Sequence, residues 1–218
     1  MTLKKNEAVA IVGSNSEVAK WIQEYYEQQN VVTIGLSRKA YSDYKYISLC
    51  DIKEMKGIFS RIKDLGVEIT SLYYCPGFIG EKSLADLEWE TWSEAINVNL
   101  NGAFCIYRAL IDTLGTASSL KFIVTGSTVV VSRPINNVAY SCAKTALETF
   151  VNYINNEKPS HVRACCIRLG RCSTDFAGYG NRSDLITKSD IHKVISLIDE
   201  SRIEVLPELI ALRPIFYL

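Results

Sequence analysis

Tyr140 and Lys144 stand four residues apart, and Ser127 precedes the tyrosine by thirteen. On a helix starting near Val138, positions i and i+4 share one face, so phenol and ammonium point into the same space. A neighbouring cation favours phenolate and lowers a pKa that is about 10 unperturbed. A phenol tuned in this way can pass a proton to a carbonyl oxygen, and a serine hydroxyl can polarise the same oxygen. The chemistry open to these residues is carbonyl reduction or its reverse. Alone, the pair is also an ordinary surface pattern on a helix, so its meaning depends on the elements that hold it.

Those elements alternate. Apolar runs at Ala8–Gly13, Val31–Leu36, Ile69–Cys75, Lys121–Gly126, Val162–Leu169 and Glu208–Arg213 read as strands. Helical spacing covers Glu17–Gln29, Asp51–Leu65, Leu87–Leu114 and Val138–Asn155. A further helix from Thr187 to Ile198 opens with capping-box spacing to Asp190. Strands alternating with helices predict a parallel sheet covered on both faces. The expected fold is α/β: a single Rossmann-type domain over residues 1–218, a doubly wound sheet of about seven strands. Ligands of such sheets bind beyond the carboxyl ends of the strands. Gly13, Leu36-Ser37-Arg38, Pro76-Gly77, Ser127 and Gly170 all fall there.

Val9 to Ala19 reads as strand, turn and helix, and a helix N-terminus can hold a phosphate. Only one residue of the turn, Gly13, is a glycine. Ser37-Arg38 closes the second strand without an acid. An acidic residue there would grip the ribose of NAD, whereas arginine suits the 2′-phosphate of NADP, so NADP(H) is favoured over NAD(H). Asp51 either caps the next helix or reaches the adenine side.

The bulk composition excludes other classes. The 218 residues carry a formal net charge of zero with no basic run, which argues against nucleic acid. No window of eighteen apolar residues exists, so no membrane span is expected, and the first residues lack a signal-peptide core. Seven cysteines without a Cys-x-x-Cys pair predict free thiols in a reducing cytoplasm, with Cys142 packed on its helix. With only two histidines, no metal site is expected.

Taken together, these residues resemble the classical short-chain dehydrogenases/reductases, from about Ala8 to Thr174. Ser127, Tyr140 and Lys144 match the most specific motif. Asn99-Leu-Asn-Gly102 resembles the family's Asn-x-x-Gly segment, Cys50-Asp51-Ile52 its adenine-contacting segment, and Leu169 to Thr174 its segment near the nicotinamide. The resemblance implies Tyr140 as acid/base, Ser127 orienting the carbonyl, and Lys144 lowering the tyrosine pKa while holding ribose hydroxyls. It implies Asn99 positioning a relay water and Thr174 touching the carboxamide. The cofactor set it implies is Gly13, Ser14, Asn15, Ser16, Val18, Ser37, Arg38, Asp51, Ile52, Pro76, Gly77, Tyr140, Lys144, Gly170 and Thr174.

The chain departs from the family pattern at Glu17 and Ala19, where the turn carries glycines, at Tyr74-Cys75 for the family's asparagines, and at Leu169 for its proline. The expected activity is interconversion of a carbonyl and a secondary alcohol on a small molecule. Arg133, Asn136, Asn137, Arg171 and Arg182 near the pocket hint at a polar or sugar-derived substrate. The departures keep a second reading open: a nucleotide-binding regulatory or scaffold protein with little turnover. Apolar residues on two helices (Phe104, Ile106, Tyr107; Phe150, Val151, Tyr153), through which family members pair, predict a homodimer or homotetramer.

Overall fold

The computed structural model describes residues 6–37, 50–114, 119–157, 161–178 and 182–214. Six strands form one sheet: β1 (Glu7–Val12), β2 (Val32–Leu36), β3 (Glu68–Tyr74), β4 (Leu120–Ser127), β5 (Val162–Leu169) and β6 (Leu209–Leu212). Their order is β2-β1-β3-β4-β5-β6, and every pairing is parallel. About seven strands were expected, and six lie among the described residues.

Alternation along each strand feeds two cores. On one face, Ala10, Val12, Leu72, Tyr74, Phe122 and Val124 pack against α2 (Ile52–Asp64), α4 (Gly102–Leu114) and α6 (Val138–Asn156). On the other, Val9, Ile11, Tyr73, Ile123, Cys165 and Ile167 pack against α1 (Glu17–Gln28) and α7 (Lys188–Glu200). Burial on both sides makes residues 8–12 of β1 a continuous hydrophobic run. β4 is buried as fully, and its polar side chains are paired, Lys121 with the carbonyls of Ile198 and Asp199 at 2.7 and 3.2 Å and Thr125 with that of Tyr74 at 3.2 Å.

Local chemistry sets the helix ends. Ser16 caps α1 by accepting from the Ala19 amide at 3.3 Å, and Asp51 caps α2 by accepting from Glu54 at 3.0 Å. Thr187 donates to the Asp190 carboxylate from both its amide (3.0 Å) and its hydroxyl (2.8 Å), as the capping-box spacing predicts.

The long helix expected over Leu87–Leu114 is broken. It runs as α3 (Trp89–Ile96), a π-helical turn (Asn97–Asn101) and then α4. The π turn releases carbonyls from the α ladder. The Tyr74 hydroxyl donates to Val98 O at 2.6 Å and the Cys50 thiol to Asn97 O at 3.6 Å. A short helix, α5 (Val129–Ser132), follows β4.

All seven cysteines are free. Cys142 is exposed on α6 rather than packed, because Ala139, Ala143 and Leu147 take the buried face. No helix among the described residues is long and apolar enough to cross a membrane.

Candidate active site

The order in which successive strands are added reverses between β1 and β3, and a cleft of about 1160 Å³ opens at their carboxyl ends. Gly13, which follows β1, has φ +73°, and an added Cβ would lie 2.9 Å from Pro76 N. Only glycine meets both demands, so the backbones after β1 and β3 close on one another at the floor of the cleft.

The strand ends bring the chemistry together. Ser127 ends β4, and Tyr140 and Lys144 lie on the buried face of α6; all three line the cleft. The Ser127 hydroxyl faces the Tyr140 phenol closely enough to lower its pKa, and its oxygen accepts from the Val129 amide at 3.4 Å. Lys144, only 1% exposed, donates to Thr125 O at 2.8 Å and Pro76 O at 3.5 Å. Two backbone carbonyls thus fix the ammonium 5.6 Å from the Tyr140 ring centroid.

The phenol is not tuned as the spacing predicts. Burial pushes Tyr140 up to about 12, and the Ser127 hydroxyl opposes this without reversing it. Burial also lowers Lys144 to about 8. Removing both groups from water favours their neutral forms, and at this separation the cation does not offset the desolvation of a phenolate.

Asn99 lies in the π turn, fully buried, and does not line the cleft. Its amide donates to Phe78 O and Ala95 O, each at 2.8 Å, and its oxygen accepts from Phe78 N at 3.3 Å. Clamping both backbone groups of Phe78, it sets the loop after Pro76-Gly77.

On the nucleotide side, Gly13, Asn15, Ser16, Val18, Ser37, Pro76, Gly77, Gly170 and Thr174 line the cleft. Ser14, Asp51 and Ile52 do not. The Ser14 side chain lies against Gly35 of β2, and Asp51 serves as the α2 cap. Arg38, on which the cofactor preference turns, lies outside the described residues. Asn136, Asn137 and Arg171 also line the cleft. Arg133 and Arg182 do not: Arg133 is exposed in a left-handed turn (φ 45°), and Arg182 pairs with Asp184 at 2.6 Å.

One contact has no counterpart in the sequence reading. Glu17 does not cap its own helix; Ser16 does. The Glu17 carboxylate instead accepts from the Asp175 amide at 2.7 Å, across 158 residues of chain. The next residue, Phe176, lays its ring against Gly77, where an added Cβ would meet its Cζ at 3.0 Å. The irregular chemistry of Glu17 was the only available signal, and it named no partner.

Residues 2–184 match the family model described as short chain dehydrogenase. The chain belongs to this family. Solved structures share its shape. One is an alcohol dehydrogenase from the archaeon Thermococcus sibiricus, complexed with 5-hydroxy-NADP. It has a TM-score of 0.81 at 17% identity, over 97% of this chain and 98% of that one. A glucose/ribitol-type short-chain dehydrogenase/reductase from Brucella melitensis gives 0.84 at 15%, over 98% and 97%. A short-chain dehydrogenase from Streptomyces avermitilis gives 0.78 at 16%, over 95% and 88%. At these identities the likeness is one of fold. No curated protein sequence matches the chain significantly.

Short-chain dehydrogenases are oxidoreductases that use a nicotinamide cofactor. The cleft fits such a group on its own evidence. The Gly13–Pro76 approach forms its floor, the capped N-terminus of α1 opens onto it, and it runs unbroken to Ser127, Tyr140 and Lys144. Glu17 places a carboxylate at the N-terminus of α1, where its charge opposes a pyrophosphate.

Proposed function

We propose that this short-chain dehydrogenase interconverts a carbonyl and a secondary alcohol on a small polar molecule, with NADP(H) as the redox partner. The meeting of Ser127, Tyr140 and Lys144 in one cleft carries the reading. Asn136, Asn137 and Arg171 in the lining of the cleft favour a polar or sugar-derived substrate. The preference for NADP(H) rests on Ser37-Arg38, which lacks the acid that NAD favours.

When bound, the nicotinamide supplies or accepts a hydride at its C4. The residues of the chain handle the proton. In reduction, Ser127 donates a hydrogen bond to the carbonyl oxygen, and the Tyr140 O–H bond breaks as its proton passes to that oxygen. The alcohol leaves with this proton, and a tyrosinate remains beside the Lys144 ammonium. A phenol held near 12 is fully protonated at neutral pH, which places the resting site in its acid form. Lys144 supports the tyrosinate that forms, and Asn99 holds the loop bearing Pro76 and Gly77.

Fluorescence titration with NADPH and NADH, followed by turnover across a panel of carbonyl compounds, tests the reading. NADPH binding with reduction is expected. Tyr140→Phe should cut kcat about 10²–10⁴-fold and leave coenzyme affinity within a few-fold. An unaffected kcat would remove Tyr140 from the reaction. The contact between Glu17 and Asp175 favours a second reading, a nucleotide-binding protein with little turnover. Coenzyme binding without reduction of any carbonyl tested would select it.

A further inference from the structure

Glu17 occupies the first turn of α1, where the positive end of the helix dipole favours an anion. A dinucleotide would place its pyrophosphate in that field, and here a carboxylate already stands in it. That carboxylate also holds a second segment. Asp175, whose amide it accepts at 2.7 Å, opens a 3-10 turn (Asp175–Ala177) directly after Thr174, and Gly178 closes the turn with φ +74°.

The segment after Thr174 therefore spans the cleft with two footings. One is polar, from Glu17 to the Asp175 amide. The other is apolar, from Phe176 to Gly77. Glu17, Gly77, Thr174 and Phe176 all line the cleft together with Gly13 and Ser16. Phe176 remains 53% exposed, so its ring is a weak anchor, and the charge-assisted hydrogen bond is the stronger footing.

We propose that Glu17 sets coenzyme affinity as a gate: its carboxylate pins the 174–177 strap across the cleft, and a dinucleotide enters by breaking the Glu17–Asp175 contact. This rests on the dinucleotide reading above. Opening the strap subtracts from the binding free energy, so apparent affinity falls by the fraction of molecules already open. Charge acts in the same direction, because pyrophosphate and carboxylate repel. Gln at this position keeps an acceptor for the Asp175 amide and loses the charge; Ala loses both.

The test compares the wild-type protein with Glu17→Gln and Glu17→Ala. NADPH and NADH affinities are read by calorimetry, and amide exchange over Asp175–Gly178 is followed in the coenzyme-free proteins. Glu17→Ala should bind about tenfold more tightly, from the loss of one charge-assisted hydrogen bond, with faster exchange at the strap; Glu17→Gln should fall between. Equal affinities in all three proteins would overturn the gate and leave the dinucleotide reading standing. Weaker binding by Glu17→Ala would also overturn it, since Glu17 would then be a coenzyme ligand. Binding of neither coenzyme by any of the three would overturn the dinucleotide reading and the gate with it.

Discussion

Two effects oppose one another at the Lys144 ammonium. Two carbonyls stabilise the charge, yet burial lowers its pKa to about 8, from about 10.4 in an unfolded chain. Below pH 8 the folded protein bears the full cost of a buried cation. Between pH 8 and about 10.5 the unfolded chain binds more protons, so the Lys144 contribution to stability rises with pH. Tyr140, raised to about 12, contributes stability that is complete below pH 10 and lost as pH climbs toward 12. In catalysis the consequence has the opposite sign. Loss of the ammonium removes support for the tyrosinate, so kcat/KM for carbonyl reduction should hold level below pH 8 and fall above it. A profile still flat at pH 10 would show that the Lys144 charge does not serve the reaction.

At the scale of elements, the site depends on clamps between side chains and backbone. Asn99→Ala leaves both backbone groups of Phe78 without partners and should cost about 2–4 kcal/mol in urea unfolding. It should also lower kcat by releasing the loop under Gly77. Arg168 on β5 makes a bidentate pair with Glu148 on α6, at 2.9 and 2.7 Å, both side chains about one-fifth exposed. Arg168→Ala should cost about 2 kcal/mol, between the values of exposed and buried pairs, as read from the same unfolding curves. Both features mark the limit of the sequence. The periodicity of α1, α2 and α6 was legible because each buries one stripe against the sheet. The π turn was not, because one extra residue leaves the apolar spacing of Leu87–Leu114 almost unchanged. Asn99 could be picked out by type and place, but its tie to Phe78 depends on a contact twenty-one residues away.

Across the whole molecule, the two faces of the sheet share the burden of stability. Phe122, fully buried beneath Tyr107, should cost about 3–5 kcal/mol when cut to Ala, seen as a lower urea midpoint. Of the apolar residues expected to mediate pairing, Ile106, Tyr107 and Val151 are buried in the core, whereas Phe104 and Tyr153 are 47% and 65% exposed. Phe104 also stacks edge-on with Phe150. We propose that this patch joins two copies of the chain. Light scattering should show a dimer or tetramer that Phe104→Glu dissociates; a monomeric wild-type protein would sink the idea. The parallel sheet and its two-sided core followed from alternation and apolar runs; the order of the strands did not. The floor of the cleft followed less well, since the close approach of Gly13 to Pro76 joins strands that are distant in sequence.

The π turn also makes the chain sensitive to length. With one residue removed between Ile96 and Gly102, an uninterrupted α-helix becomes the favoured path, because a π turn holds one residue more than an α turn; α3 and α4 would keep their phase, and the residues within the turn would lose theirs. Asn99 would turn away from Phe78 and the hydroxyl of Tyr74 would lose the Val98 carbonyl. A substitution at any single position here disturbs a few contacts, whereas a deletion closes the π turn and withdraws all the contacts made from within it. Residue number, more than residue identity, is what this stretch of the chain has to preserve.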